Sequence, residues 1–184
     1  MQVELVDWNV KLEEAIAHAG SVCYDSDPTD VSRVKRLKSM GHLSCFRNAY
    51  AAFEITCSRA CADQIRTHQT LNHLMRSMRY CDESSFEFVM PDGLTKEVEN
   101  LIELHNSATK FVYSQLRKNG VKKEDARSIL PMNTQTKMYV SGNLQAFLHF
   151  INLRKEKKAQ KEIQEVAKLM EEALLKKFPQ TFGE

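Results

Sequence analysis

The chain has 184 residues, 42% apolar and 27% charged, with a net charge of +2. That is enough for one domain with a sizeable core, and too little charge to coat DNA or an anionic membrane. No apolar run approaches the roughly 20 residues that span a bilayer, and Met1-Gln2-Val3-Glu4-Leu5 lacks the basic and apolar regions of a secretion signal, so a cytoplasmic protein is expected.

Residues 2–6 read as a strand, because Val3 and Leu5 alternate with Gln2 and Glu4. Residues 11–18 read as a short helix, 25–30 with Pro28 as a loop, and 31–40 as a second helix stopped by Gly41. Tyr50, Phe53, Ile55 and Thr56 suit a strand over 49–57. Residues 59–68 then look helical, which would put Gln64 and His68 on one face. Residues 82–94 carry Ser84, Ser85, Pro91 and Gly93 and read as irregular, with room for a short strand at 86–90. The stretch 94–118 reads as a long helix with apolar Val98, Leu101, Ile102, Leu104, Phe111, Val112 and Leu116, ended by Asn119-Gly120. A short helix over 123–129 stops at Pro131. A strand over 134–141, an apolar helix over 143–153 and an amphipathic helix over 157–177 follow. No repeat or linker interrupts residues 1–184, so one α+β domain is expected.

The five cysteines, Cys23, Cys45, Cys57, Cys61 and Cys81, are odd in number and form no Cys-x-x-Cys pair. Reduced thiols are expected, and no metal: Cys57, Cys61 and His68 lack a fourth ligand for zinc.

Several polar residues sit where solvation alone explains them poorly. Arg154 follows the apolar run Phe147–Leu153, Arg127 precedes Ile129-Leu130-Pro131, and Arg79 lies in a polar turn beside Ser77. The arginine fork suits a phosphate or a planar amide, glutamine can read a base edge, and a serine hydroxyl with turn amides can cradle phosphate. Gln64, Ser77, Arg79, Arg127 and Arg154 would make a nucleotide site if folded together. Taken singly, each arginine is more often a surface or ion-pair residue. His68 is more often structural than catalytic, and His149 reads as core or interface. Lys155, Lys157 and Lys158 with Glu156 read as a solvated face, and Met75 and Met78 as packing residues.

Thr67-His68-Gln69, then seven residues, then Ser77-Met78-Arg79-Tyr80, resembles the Arg-His-Arg, seven residues, Ser signature of the flavin-dependent thymidylate synthases, with both flanking arginines replaced. Gly41-His42-Leu43-Ser44-Cys45-Phe46 resembles that family's Gly-His-x-Ser/Thr-Pro-Phe segment. Ala126-Arg127-Ser128-Ile129-Leu130-Pro131, Asn143 through Arg154, Ala159-Gln160-Lys161-Glu162-Ile163 and Phe178-Pro179 are similar to further family segments in the same order.

The resemblance implies an α+β domain with an antiparallel sheet flanked by helices. It implies dUMP held by Gln64, Ser77, Met78, Arg79, Arg127 and Arg154, with no nucleic acid or membrane partner. Ser77, Arg79 and neighbouring amides would take phosphate, Arg127 would come from a neighbouring subunit of a homotetramer, and Arg154 would face the uracil. Arg154, Ser77 and His68 would carry catalysis. Methylenetetrahydrofolate would give a one-carbon unit to uracil C5, FAD would supply hydride and NADPH would reduce the flavin. The cofactor side falls on Ser44, Thr67, His68, Gln69, Asn143, His149 and Lys158.

That side is also where the chain departs from the family pattern. Besides Thr67 and Gln69, an acidic residue is replaced by Arg47, an arginine by Gln145, an asparagine by His149, a histidine by Lys158 and a glutamate by Met75. Two alternatives follow. One is a flavin-independent hydroxymethylase that makes 5-hydroxymethyl-dUMP, with Cys61 or Cys81 activating C6. The other is a silent nucleotide-binding homologue.

Overall fold

Four strands form one antiparallel sheet in the order β1-β2-β4-β3: β1 is Gln2–Trp8, β2 Tyr50–Ser58, β3 Asn72–Met75 and β4 Gln135–Asn143. The computed structural model describes residues 1–82 and 85–183, so Ser84 of the segment expected to be irregular lies outside the described residues. β2 is central and buries Ala51, Phe53, Ile55 and Cys57. It pairs with β1 (Val3 to Ile55) and along its full length with β4 (Phe53 to Val140). β4 alternates: Thr136, Met138, Val140 and Gly142 are buried, while Lys137 is exposed and pairs with Glu54 on the outer face.

β3 was not expected. Asn72-His73-Leu74-Met75 has no apolar alternation, and Leu74 is 76% exposed. Its pairing with Met138–Ser141 of β4 makes it a strand. Residues 86–90 contribute only a bridge from Phe88 to Thr134.

The helices pack partly on the sheet's main core and partly around a smaller, separate one. They are α1 (Leu12–Tyr24), α2 (Arg33–Ser39), α3 (Arg59–Arg66), α4 (Lys96–Lys118), α5 (Lys123–Ala126), α6 (Leu144–Arg154), α7 (Lys161–Lys177) and α8 (Pro179–Phe182). α1 runs about two turns past the expected end, and α7 starts four residues later than expected. α8, begun by Pro179 in its first turn, was not anticipated. The core packs Phe46, Phe53, Phe147, Phe150, Ile151, Ile163, Val166 and Met170 together, with Phe53 and Phe147 edge to face at 5.4 Å.

Three local devices fix the chain where function is expected. The first stops α2: Gly41 takes φ +73, His42 N–H reaches the Leu37 carbonyl (2.9 Å) and Gly41 N–H the Lys38 carbonyl (3.0 Å). This aims the 3-10 turn Leu43–Asn48, which carries Ser44 and Arg47. The second starts α6: the Asn143 side-chain oxygen accepts from Ala146 N–H at 3.0 Å. The third ties α3 to α7. Ser58 caps α3 by accepting from Cys61 N–H (3.0 Å), while its own N–H and hydroxyl donate to the Glu162 carboxylate at 2.7 and 2.6 Å.

α4 packs against expectation. Its buried residues are Asn106, Thr109 and Tyr113, and Asn133 donates to Asn106 at 3.1 Å. Tyr113, Phe86 and Ala126 form a small second core. The apolar Leu101, Leu104 and Phe111 are 66%, 68% and 65% exposed. The periodicity was real, but that stripe faces outward in the single chain. Among the described residues, no helix is long and apolar enough to cross a membrane, and no group of three or more His, Cys, Asp or Glu is placed to hold a metal ion.

Replacing Ser58 with alanine removes a buried cap and the hydroxyl donor to Glu162, while the backbone N–H of residue 58 still reaches the carboxylate. Ser58→Ala is expected to lower the unfolding free energy by about 1–3 kcal/mol. Urea denaturation checks this, and an unchanged midpoint would show that the two bonds of the hydroxyl contribute nothing.

Candidate active site

α3 ends at Arg66 rather than at His68, because the Thr67 hydroxyl folds back to the Gln64 carbonyl (2.7 Å) and His68 N–H to the Ile65 carbonyl (3.1 Å). Gln64 and His68 are therefore not on one helical face. They meet instead at Arg154, the last residue of α6. Arg154 Nε donates to His68 Nε2 at 2.8 Å, and its Nη2 donates to the Gln64 carbonyl (3.2 Å) and to Thr67 Oγ1 (3.1 Å). Arginine can only donate, so His68 Nε2 carries no proton and the ring proton sits on Nδ1.

His68 is 7% exposed, between Phe150 (4.8 Å, edge to face) and His149 (6.2 Å). Burial first, then the Arg154 charge and His149, pull its pKa down from 6.5 to about 4. His68 is thus a neutral acceptor that fixes a half-buried cation. Arg154 Nη1 has no protein partner among the described residues, so two of its five donors remain for a ligand. The Gln64 side chain donates to Gln160, the residue that opens α7.

Ser77, Met78 and Arg79 form a second group in the turn after β3. Arg79 N–H reaches Ser77 Oγ (3.3 Å) and Cys81 N–H reaches the Ser77 carbonyl (2.9 Å). Arg79 pairs with Glu124 of α5 at 2.8 Å, and its guanidinium lies 5.6 Å from the Tyr80 ring. Arg127, exposed on the 3-10 turn Arg127–Ile129, donates to the Glu124 carbonyl at 3.1 Å. Within one chain the expected nucleotide residues therefore fall in two groups, Gln64 and Arg154 with His68 between them, and Ser77, Arg79 and Arg127 around Glu124. Met78 is half-buried in the turn.

The expected cofactor residues disperse. Gln145, His149 and Asn152 lie on one face of α6, three and four residues apart, and line a cavity of about 560 Å³ with Leu43, Arg47, Thr70, Asn143 and Leu148. His149 is exposed there, not core. Ser44 lines a neighbouring cavity of about 330 Å³ with His42 and Tyr24. Thr67 is engaged with Arg154. Exposed Gln69 lines neither cavity. Lys158 pairs with Glu156 at 2.7 Å on the surface, as the reading of a solvated face had it. Asn143 spends its side-chain oxygen on capping α6, leaving its amide N–H groups for the cavity. The donors and the apolar Leu43, Ala146, Leu148 and Leu153 fit a flat heteroaromatic ring, and Arg47 supplies a cation for an anionic chain.

Sequence reasoning missed Glu124, which gathers two arginines, and Gln160, which pairs with Gln64. Cys61 is fully buried, and the hydrogen bond its thiol shares with Cys57, together with burial, favours the protonated form and pushes its pKa up, so it is no nucleophile at neutral pH.

A fixed guanidinium with free donors, a serine-arginine turn and a polar cavity are groups suited to a phosphate and a planar ring. Residues 4–180 match the model of the thymidylate synthase complementing protein family, and the chain belongs to that family. It is similar to the flavin-dependent thymidylate synthase of Pyrococcus horikoshii, 32% identical over 196 positions that cover 96% of this chain and 81% of that one. The enzyme of the same name from Pyrococcus furiosus is 34% identical, over 94% and 78% of the two chains. That from Mycobacterium sp. strain KMS is 29% identical, over 88% and 76%.

The His68 geometry has a pH signature. The unfolded chain takes a proton on His68 near pH 6.5, the folded one only near pH 4. Its contribution is intact above about pH 6.5 and lost as pH falls through that window, by at most about 1.4 kcal/mol per pH unit. Chemical denaturation of wild type and His68→Gln across pH 4–7 checks this. The wild type should lose more stability towards acid, and parallel curves would refute it.

Proposed function

We propose that the chain is a flavin-dependent thymidylate synthase that transfers a one-carbon unit from methylenetetrahydrofolate to C5 of dUMP. The observation that carries this is Arg154, held by three neutral acceptors with its Nη1 donors left over. A uracil carbonyl against Nη1 would sit beside a cation as charge moves into the ring, which is what makes C5 nucleophilic. His68 acts by positioning Arg154. Ser77, the amide of Met78 and Arg79 would take the phosphate, which as a dianion can displace Glu124 from Arg79. Arg127, exposed on the same cluster, would serve the site of a neighbouring subunit.

FAD would be held by Arg47, Asn143, Gln145, His149 and Asn152, with Ser44 at its far end, and supplies hydride when bound; NADPH would reduce it. Within the single chain Thr67 is bonded to Arg154 and Gln69 lies outside both cavities. The chain's own residues bind, orient and stabilise charge.

Residues 1–184 would work as one thymidylate-synthase-like domain in a cytoplasmic homotetramer. Two clusters in one chain and the outward stripe of Leu101, Leu104 and Phe111 support assembly, since so large an apolar patch rarely stays uncovered. Phe111→Lys is expected to lower the mass in multi-angle scattering below four times the 21.2 kDa chain. A variant that keeps the wild-type mass would place the interface elsewhere.

The activity is tested by mass spectrometry of the product from dUMP and methylenetetrahydrofolate, with and without FAD and NADPH. Flavin-dependent dTMP formation is expected, and Arg154→Ala should lower it at least about a hundredfold and weaken dUMP binding. Turnover without flavin, to a product one oxygen heavier, would establish the hydroxymethylase in its place. Nucleotide binding with no turnover would leave a silent homologue. Full activity in Arg154→Ala would overturn the role given to that residue.

A further inference from the structure

The two cavities beside α6 share three lining residues: Leu43, Arg47 and Gln145. Arg47 Nε donates to Gln145 Oε1 at 2.5 Å, so this bond forms the partition between them. One compartment, about 560 Å³, offers the α6 face of Gln145, His149 and Asn152. The other, about 330 Å³, lies between the end of α1 and the 3-10 turn, walled by the Tyr24 hydroxyl bonded to His42 Nδ1 at 2.7 Å.

Charge is concentrated at the partition. Among the described residues lining either cavity, Arg47 is the only lysine or arginine, and the only acid, Glu156, has Lys158 beside it. The residues on either side of His68, Thr67 and Gln69, are uncharged. A ligand with two ring systems joined by a charged bridge matches this layout, with one ring per compartment and the bridge at the guanidinium.

We propose that Arg47 binds the diphosphate bridge of a dinucleotide whose two ends occupy the two cavities. Gln145 holds the Arg47 side chain through Nε and leaves the terminal amino groups for phosphate oxygens, a charge-assisted pairing in which arginine is favoured. This rests on the flavin-dependent reading above. It adds a residue and a two-compartment binding mode specific to this chain. FAD and a nicotinamide dinucleotide share the bridge, and the ligands compared below separate them.

The purified full-length protein is titrated at low salt with FAD, riboflavin and NADP+, by flavin fluorescence and by calorimetry. The wild type should bind FAD at least about tenfold more tightly than riboflavin, which lacks the diphosphate. In Arg47→Gln that advantage should collapse while riboflavin affinity stays within about threefold, and Arg47→Lys should restore part of it. Arg47-dependent binding of NADP+ without FAD would assign the site to the nicotinamide dinucleotide and sustain the inference. Flavin binding with an advantage for FAD that survives in Arg47→Gln would overturn the inference alone and leave the proposed function standing. Failure of all three ligands to bind would overturn both.

Discussion

The hydrogen bond from Arg154 to His68 is the constraint on which the site depends. It joins the end of α6 to the loop after α3, two elements whose placement is set elsewhere. α6 is started by the Asn143 cap, and α3 is pinned to α7 by the Ser58–Glu162 clasp. The bond is self-consistent. Burial and the arginine charge drive the proton off His68, and only the neutral imidazole can accept from Arg154. A protonated His68 would be a buried cation beside the half-buried Arg154, with no acceptor to offer.

The same economy of charge separates the arginines into kinds. Arg79 is paired with a carboxylate, so its charge is largely compensated until a competing anion arrives. Arg127 leans on the Glu124 carbonyl and keeps most of its donors in solvent. A phosphate, with two charges and three acceptor oxygens, is the kind of ligand that wins against a single exposed carboxylate. Arg47, bonded among the described residues to the neutral amide of Gln145, keeps its full charge where two cavities meet.

Much of this was legible in the sequence because buried strands and amphipathic helices leave periodic patterns. β2, β4, α6 and α7 were found that way, within a few residues. β3 was not, because Leu74 faces outward and the strand exists only through its ladder with β4. α4 showed its periodicity but not its direction: nothing in Leu101, Leu104 and Phe111 says that Asn106, Thr109 and Tyr113 would face inward. Resemblance pointed to Gln64, His68, Ser77, Arg79, Arg127 and Arg154. It could not tell that Gln64 would hold Arg154 by its backbone carbonyl, that His68 would act as an acceptor, or that Asn143 would be a helix cap. Such roles depend on which atoms face each other across the fold.

A carboxylate would seem the stronger partner for Arg154, yet all three acceptors around it are neutral: an imidazole nitrogen, a carbonyl and a hydroxyl. At about 3 Å a carboxylate would offset most of the field that the guanidinium presents to a ligand, and the loss is greatest where water is scarce. Neutral acceptors fix the geometry and leave the positive charge intact. A cation meant to meet negative charge appearing on a ring gains from being held this way, because nothing must be displaced or reoriented as the charge develops. A cation meant to hold a permanent dianion does not need that protection, and Arg79 is without it. The difference between the partners of Arg154 and Arg79 therefore separates the residue suited to the reacting ring from the one suited to the phosphate.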